Sequence, residues 1–248
     1  MKIIFITALG VGGATVLGSI IGFLFRGISH RFSDIVLSFA AGVMLAASIL
    51  GLILPALEYG SLITTIAGIF TGALCLNLID KVIPHLHRIV GLKYTCGGND
   101  IRINRILLFV TAIAIHNLPE GIAAGVSFGT DDLSQALFIA GGIALQNIPE
   151  GMVIISPMLS TGITPGRTFL CALATGMIEV IGTFLGYFAV TAASMILPFG
   201  LAFGGGTMLY VISDEMIPET HSDGSELGAT YALLAGFCLM LISDVLLA

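Results

Sequence analysis

The stretch AIAIHNLPEGIAAG fills residues 112–125, and GIALQNIPEGMVI follows at residues 142–154. Each sets a proline, a glutamate and amide or imidazole groups inside an otherwise apolar run. His116 and Glu120 are four residues apart, as are Gln146 and Glu150, so on helices each pair shares one face. Asn117 and Asn147 stand three residues before the same glutamates. Pro119 and Pro149 have no N–H for the carbonyls of Ile115 and Leu145, and the spacing predicts that both helices open there.

The surrounding chain explains why these groups matter. Its 248 residues have a mean hydropathy of +1.07, and 10% of them are charged, against about 25% in a soluble domain. Apolar runs of roughly twenty residues, long enough to cross a bilayer, recur throughout. They predict an all-α membrane protein formed as one polytopic domain over residues 1–248. Alternation at period two is absent, which disfavours a β-barrel. The apolar run after Lys2 is too long for a signal peptide and reads as a retained helix. Cys75, Cys96, Cys171 and Cys238 are scattered without CxxC spacing, so neither a disulfide framework nor a zinc ribbon is implied. A net charge of -6 with nine basic residues excludes nucleic acid as a partner.

Eight spans can be read, at Ile3–Phe25, Ser33–Leu57, Leu62–Ile83, Arg105–Phe128, Leu133–Met158, Gly166–Val190, Met195–Ile217 and Leu227–Leu247. Arg26, Arg31, Lys81, Arg88, Lys93, Arg102, Arg105 and Arg167 then fall on one side, and Lys2 alone on the other. Basic residues concentrate on the cytoplasmic side. Both termini are therefore expected outside an inner (plasma) membrane, with the long loop at about 84–104 in the cytoplasm. FAAGVML at residues 39–45 is similar to FGGGTML at residues 203–209, and a proline follows each, Pro55 and Pro218. Spans two and seven run in opposite directions, so the match predicts inverted repeats. Helices 1–3 would mirror helices 6–8 around a proline-broken central pair 4/5, a 3+2+3 arrangement. Small residues four apart, such as Gly10, Ala14, Gly18 and Gly22, read as packing surfaces between helices.

A hairpin turning near Leu133 brings His116 level with Glu150, and Glu120 level with Gln146. The rise from Arg105 to His116 is ~17 Å, and from Arg167 to Glu179 ~18 Å, so all three glutamates reach the bilayer midplane. Each such charge costs about 2.5–3.5 kcal/mol on insertion scales. No Lys or Arg lies beside them in the spans, so protons or a cation must neutralise them. Interhelical hydrogen bonding accounts for Asn117, Asn147 and Gln146, but poorly for three glutamates. The mixed nitrogen and oxygen donors suit Zn²⁺, Fe²⁺, Mn²⁺ or similar ions. Met44 is a candidate soft ligand, against the simpler reading that it is packing.

HNLPEG and QNIPEG in consecutive spans resemble the signature of the ZIP (Zrt/Irt-like protein) metal-ion permeases of prokaryotic type. ISDEMIPETH at residues 212–221 is similar to a family stretch at the inner end of span seven. The resemblance implies an eight-helix bundle with a two-ion centre between spans four and five. It implies a first ion on His116, Glu120, Gln146 and Glu150, with Met44 contributing. A second would lie among Asn117, Glu120, Asn147, Glu150 and Glu179. Some bacterial members carry aspartate where this chain has Asn147, which leaves the second site one negative charge weaker. The resemblance also makes the acids around Asp214, Glu215, Glu219, His221, Asp223 and Glu226 an exit vestibule, with Asp80 beside it; a solvated acidic loop is the other reading. Asp244 would serve on the way in.

The function expected is import of divalent metal ions into the cytoplasm, zinc foremost, with iron, manganese, cadmium or cobalt as further cargo. Such a chain is not an enzyme. Its partners would be the metal ions and the lipid bilayer, with a homodimer as one admissible assembly. No GxxxxGK[ST] occurs, so a P-loop does not power it. The alternative is an intramembrane metal-dependent hydrolase. Against it, HExxH is absent and only one histidine lies in a span, where catalytic zinc commonly has more nitrogen ligands. A proton-coupled carrier of organic solutes makes poor use of the paired faces.

Overall fold

The computed structural model describes residues 1–25, 29–89, 115–130, 132–160, 162–221 and 226–247, with backbone only at 80 and 82–89. Helices account for nearly all of them, and no strand occurs among the described residues. The helices are α1 (Lys2–Leu24), α2 (His30–Tyr59), α3 (Leu62–Ile89), α4 (residues 115–127), α5 (Leu133–Ser160), α6 (Pro165–Ala192), α7 (Ser194–Thr220) and α8 (Glu226–Leu247). Seven are long and apolar enough to cross a membrane. The first half of the fourth expected span, Arg26, Asp223 and residues 90–104 of the long loop lie outside the described residues.

Large apolar side chains cover the outside of the bundle: Phe5, Ile63, Phe70, Leu185 and Leu246 are all exposed. Its interior holds many alanines and glycines beside Leu52, Ile139 and Ile143, and it also takes in Thr15, Ser38, Asn117, Gln146 and Glu179. An apolar exterior this extensive belongs against lipid, and the chain is a multi-pass membrane protein.

Two sequence expectations need correction, and one feature is new. α3 runs six residues past the expected end at Ile83, through Pro84 to Ile89. Hydropathy marks where a helix leaves the apolar layer, not where its hydrogen bonds end. Neither central helix breaks at its proline: residues 115–127 of α4 are helical through Pro119, and α5 passes Pro149 to Val153, is interrupted at Ile154, and resumes at Ile155–Ser160. A missing N–H removes one bond without forcing a break where neighbouring helices hold both sides. And α2 and α7 each contain a π-helical stretch that the sequence pattern does not reveal, Ala47–Ile53 and Ile212–Met216, just ahead of Pro55 and Pro218.

The helices pack with a recurring plan. α1 lies along α5 and α6, α3 along α7, and α8 along α2. Backbones touch where glycine leaves no side chain. Gly42 of α2 sits against the Leu233 carbonyl of α8, and Gly206 of α7 against the Ile69 carbonyl of α3. Gly18 of α1 meets the Ile148 carbonyl of α5, and Gly182 of α6 meets the Leu118 carbonyl of α4. Gly12 and Gly176 each abut the other's carbonyl. Every one of these glycine pairs is separated by 164 residues, the spacing that also separates Thr15 from Glu179.

Candidate metal centre

α4 and α5 carry the two polar sentences to the middle of the bundle. Gly121, directly after Glu120, packs on the Glu179 carbonyl of α6, and Gly151, directly after Glu150, on the Thr15 carbonyl of α1. These approaches draw α1, α4, α5 and α6 around one polar core. Gln146, Asn147 and Glu179 are fully buried, Asn117 and Glu120 are 1% exposed and His116 6%.

The hydrogen bonding within this core is uneven. Glu179 accepts from Thr15 Oγ1 at 2.7 Å, from Asn147 Nδ2 at 2.6 Å and from Asn117 Nδ2. Asn147 Nδ2 also reaches the Val11 carbonyl at 3.3 Å. By contrast, the Glu120 carboxylate has the Gln146 amide beside it but no close hydrogen bond to either oxygen, and the Oδ1 atoms of Asn117 and Asn147 are buried without a hydrogen-bond partner. An unsatisfied buried polar group costs about 1–3 kcal/mol, and more when charged. So many acceptors in one place fit a bound cation, which would take the lone pairs that no protein donor uses.

A cavity of about 430 Å³ leads away from this centre. His116, Asn117, Glu120 and Glu150 line one end, and Asp214, Glu215 and Glu219 on α7 line the other. His116 Nε2 lies 2.9 Å from Glu215 Oε1, so the imidazole bridges centre and vestibule. Among the described residues no three His, Cys, Asp or Glu side chains are gathered tightly enough to hold an ion.

The remaining expected residues fall elsewhere. Met44 is fully buried among apolar side chains and does not line the cavity. His221 has Nδ1 2.9 Å from the Ile217 carbonyl and Nε2 3.2 Å from Thr230 Oγ1, which joins the end of α7 to α8 rather than facing the cavity. Asp244 lines a separate cavity of about 120 Å³ with Asp132, the N-cap of α5. Asp80 belongs to α3, and its side chain lies outside the described residues. Sequence reasoning missed Thr15, because a single threonine in an apolar helix gives no signal of the glutamate it meets 164 positions later.

The model of a family described as ZIP Zinc transporter matches residues 96–244. Zinc transporter ZIPB of Bordetella bronchiseptica is 39% identical over 246 residues, covering 94% of this chain and 78% of that protein. Zinc transporter GufA of Myxococcus xanthus is 41% identical over 179 residues, 72% of this chain and 69% of that protein. Zinc transporter ZupT of Chlorobaculum parvum is 31% identical over 252 residues, 95% and 94% of the two chains.

Proposed function

The chain belongs to the ZIP zinc transporter family, and from that premise we propose that it imports divalent metal ions, zinc foremost, across the plasma membrane into the cytoplasm. It is a membrane transporter and not an enzyme. Iron, manganese, cadmium and cobalt accept the same donors, so cellular supply rather than ligand chemistry decides among them. The observation that carries this reading is the set of buried acceptors on Glu120, Gln146, Asn117 and Asn147 that lack a close hydrogen-bond donor.

His116, Glu120, Gln146 and Glu150 bind the ion in this reading. Two carboxylates neutralise its charge, so the ion replaces its hydration shell without leaving net charge in the membrane. Glu215, Asp214 and Glu219 then receive it at the far end of the cavity. The contact between His116 and Glu215 supports that route, because one imidazole reaches both ends. The clustering of Lys and Arg supports termini outside and the vestibule in the cytoplasm.

An eight-helix 3+2+3 bundle with inverted repeats is part of the same reading. The paired glycine contacts at a constant spacing support it, since a twofold relation in the membrane plane repeats each close approach once. So do the two π-helical stretches ahead of Pro55 and Pro218. Helices α1, α4, α5 and α6 share the polar core, whereas α2 and α7 pack with α8 and α3. Alternating access by movement of the first group against the second follows from that division.

Reconstitution in liposomes with a trapped zinc-sensitive dye tests the proposal. Zinc should enter down its gradient, and Glu120→Ala or Glu150→Ala should abolish entry. Entry at the native rate in both variants would overturn it.

A further inference from the structure

Glu179 is bonded unlike the other two glutamates of the centre. Its carboxylate accepts from Thr15 on α1, Asn117 on α4 and Asn147 on α5, which uses three of about four lone-pair positions. The Glu120 oxygens have no close hydrogen bond, although the Gln146 amide lies beside them. The asparagines explain the difference. Each turns its NH₂ toward Glu179 and leaves its Oδ1 without a hydrogen bond. A cation placed between Glu179 and these residues would face amide hydrogens, which repel it. To bind one there, both amides would have to flip and both bonds to Glu179 would be lost.

We propose that Glu179 is a positioning residue that binds no metal: with Thr15, Asn117 and Asn147 it forms a closed polar knot, and the central site holds one divalent ion instead of two. This rests on the transport reading above. The knot ties α1, α4, α5 and α6 at a single point and fixes the orientation of both amides. Asn147 is decisive. An aspartate in its place cannot donate, would set one carboxylate against another, and would draw in a second cation to separate them.

Zinc-edge X-ray absorption on the purified full-length protein loaded with Zn²⁺ reads this directly. Two ions bridged by shared carboxylates show each other at about 3.5–4 Å. The native protein should show zinc bound by nitrogen and oxygen with no zinc–zinc feature, and Asn147→Asp should gain that feature. The exchange Asn147→Asp with Glu179→Gln should lose it again. There the new glutamine donates to the new aspartate while its oxygen still accepts from Thr15 and Asn117, so zinc affinity should return to within about threefold of native. A zinc–zinc feature in the native protein, or one that survives the exchange, overturns the proposal and leaves transport standing. A native protein that binds no zinc overturns both.

Discussion

His116 Nε2 and Glu215 Oε1 stand 2.9 Å apart, which links α4 at the centre to the π-helical stretch of α7 at the vestibule. Glu215 is 38% exposed at its side chain and His116 6%, so the pair spans the change from buried to wet. The imidazole cannot serve an ion and Glu215 through the same nitrogen at once. In the transport reading proposed above, with His116 holding the ion through Nε2, ion binding at the centre competes with this contact.

Removing the carboxylate charge should ease that competition. In Glu215→Gln the contact weakens, and zinc affinity at the centre should rise by about three- to tenfold, a fraction of what a hydrogen bond to a charged group is worth. Flux at saturating zinc should fall, because release loses its acceptor. Isothermal titration and the liposome assay measure the two effects separately. Weaker zinc binding in this variant would show that Glu215 is itself a ligand of the central ion.

Glu120 offers a sign test. Its two oxygens are buried without a close hydrogen bond, so without metal the carboxylate destabilises the fold. Glu120→Gln should raise the melting temperature of the chelator-treated protein by a few degrees, in proportion to about 1–3 kcal/mol. In the native protein, zinc at 100 times its Kd should add about 2.7 kcal/mol of stability, and in the variant almost none. Fluorescence-detected melting in detergent, with zinc and with chelator, gives both numbers.

The glycines divide by position. A Cβ at Gly42 would strike the Leu233 carbonyl, whereas one at Gly10 meets nothing within 4 Å. Gly42→Ala should separate α2 from α8 and cost about 1–3 kcal/mol or more, as overpacking does. Gly10→Ala should be neutral, or stabilising by up to about 1 kcal/mol through helix propensity. Melting of the two variants side by side checks this, and equal losses would contradict the packing described here.

His221 should matter for architecture and not for cargo. Its ring nitrogens sit within hydrogen-bond distance of Ile217 and Thr230. His221→Ala should lower stability by about 1 kcal/mol and leave zinc affinity within about twofold of native. A tenfold loss of affinity in dialysis against labelled zinc would return His221 to the metal path.

The primary sequence alone determined the membrane class, the positions of seven of the apolar helices to within a few residues and the two polar motifs. Those features are local: hydrophobic length and four-residue spacing act within one helix, so they can be read along the chain. The short likeness of residues 39–45 to 203–209 suggests a repeat, and glycine contacts at the same spacing in α1, α3, α6 and α8 support that reading. The tertiary structure decided what the motifs touch. It kept α5 helical through Pro149, set His116 against Glu215, left Met44 in the apolar core and gave Glu179 a partner on α1. Such outcomes depend on which helices pack together, and in a membrane that choice follows from close backbone contact and buried polar pairing rather than from hydrophobicity, which every helix shares.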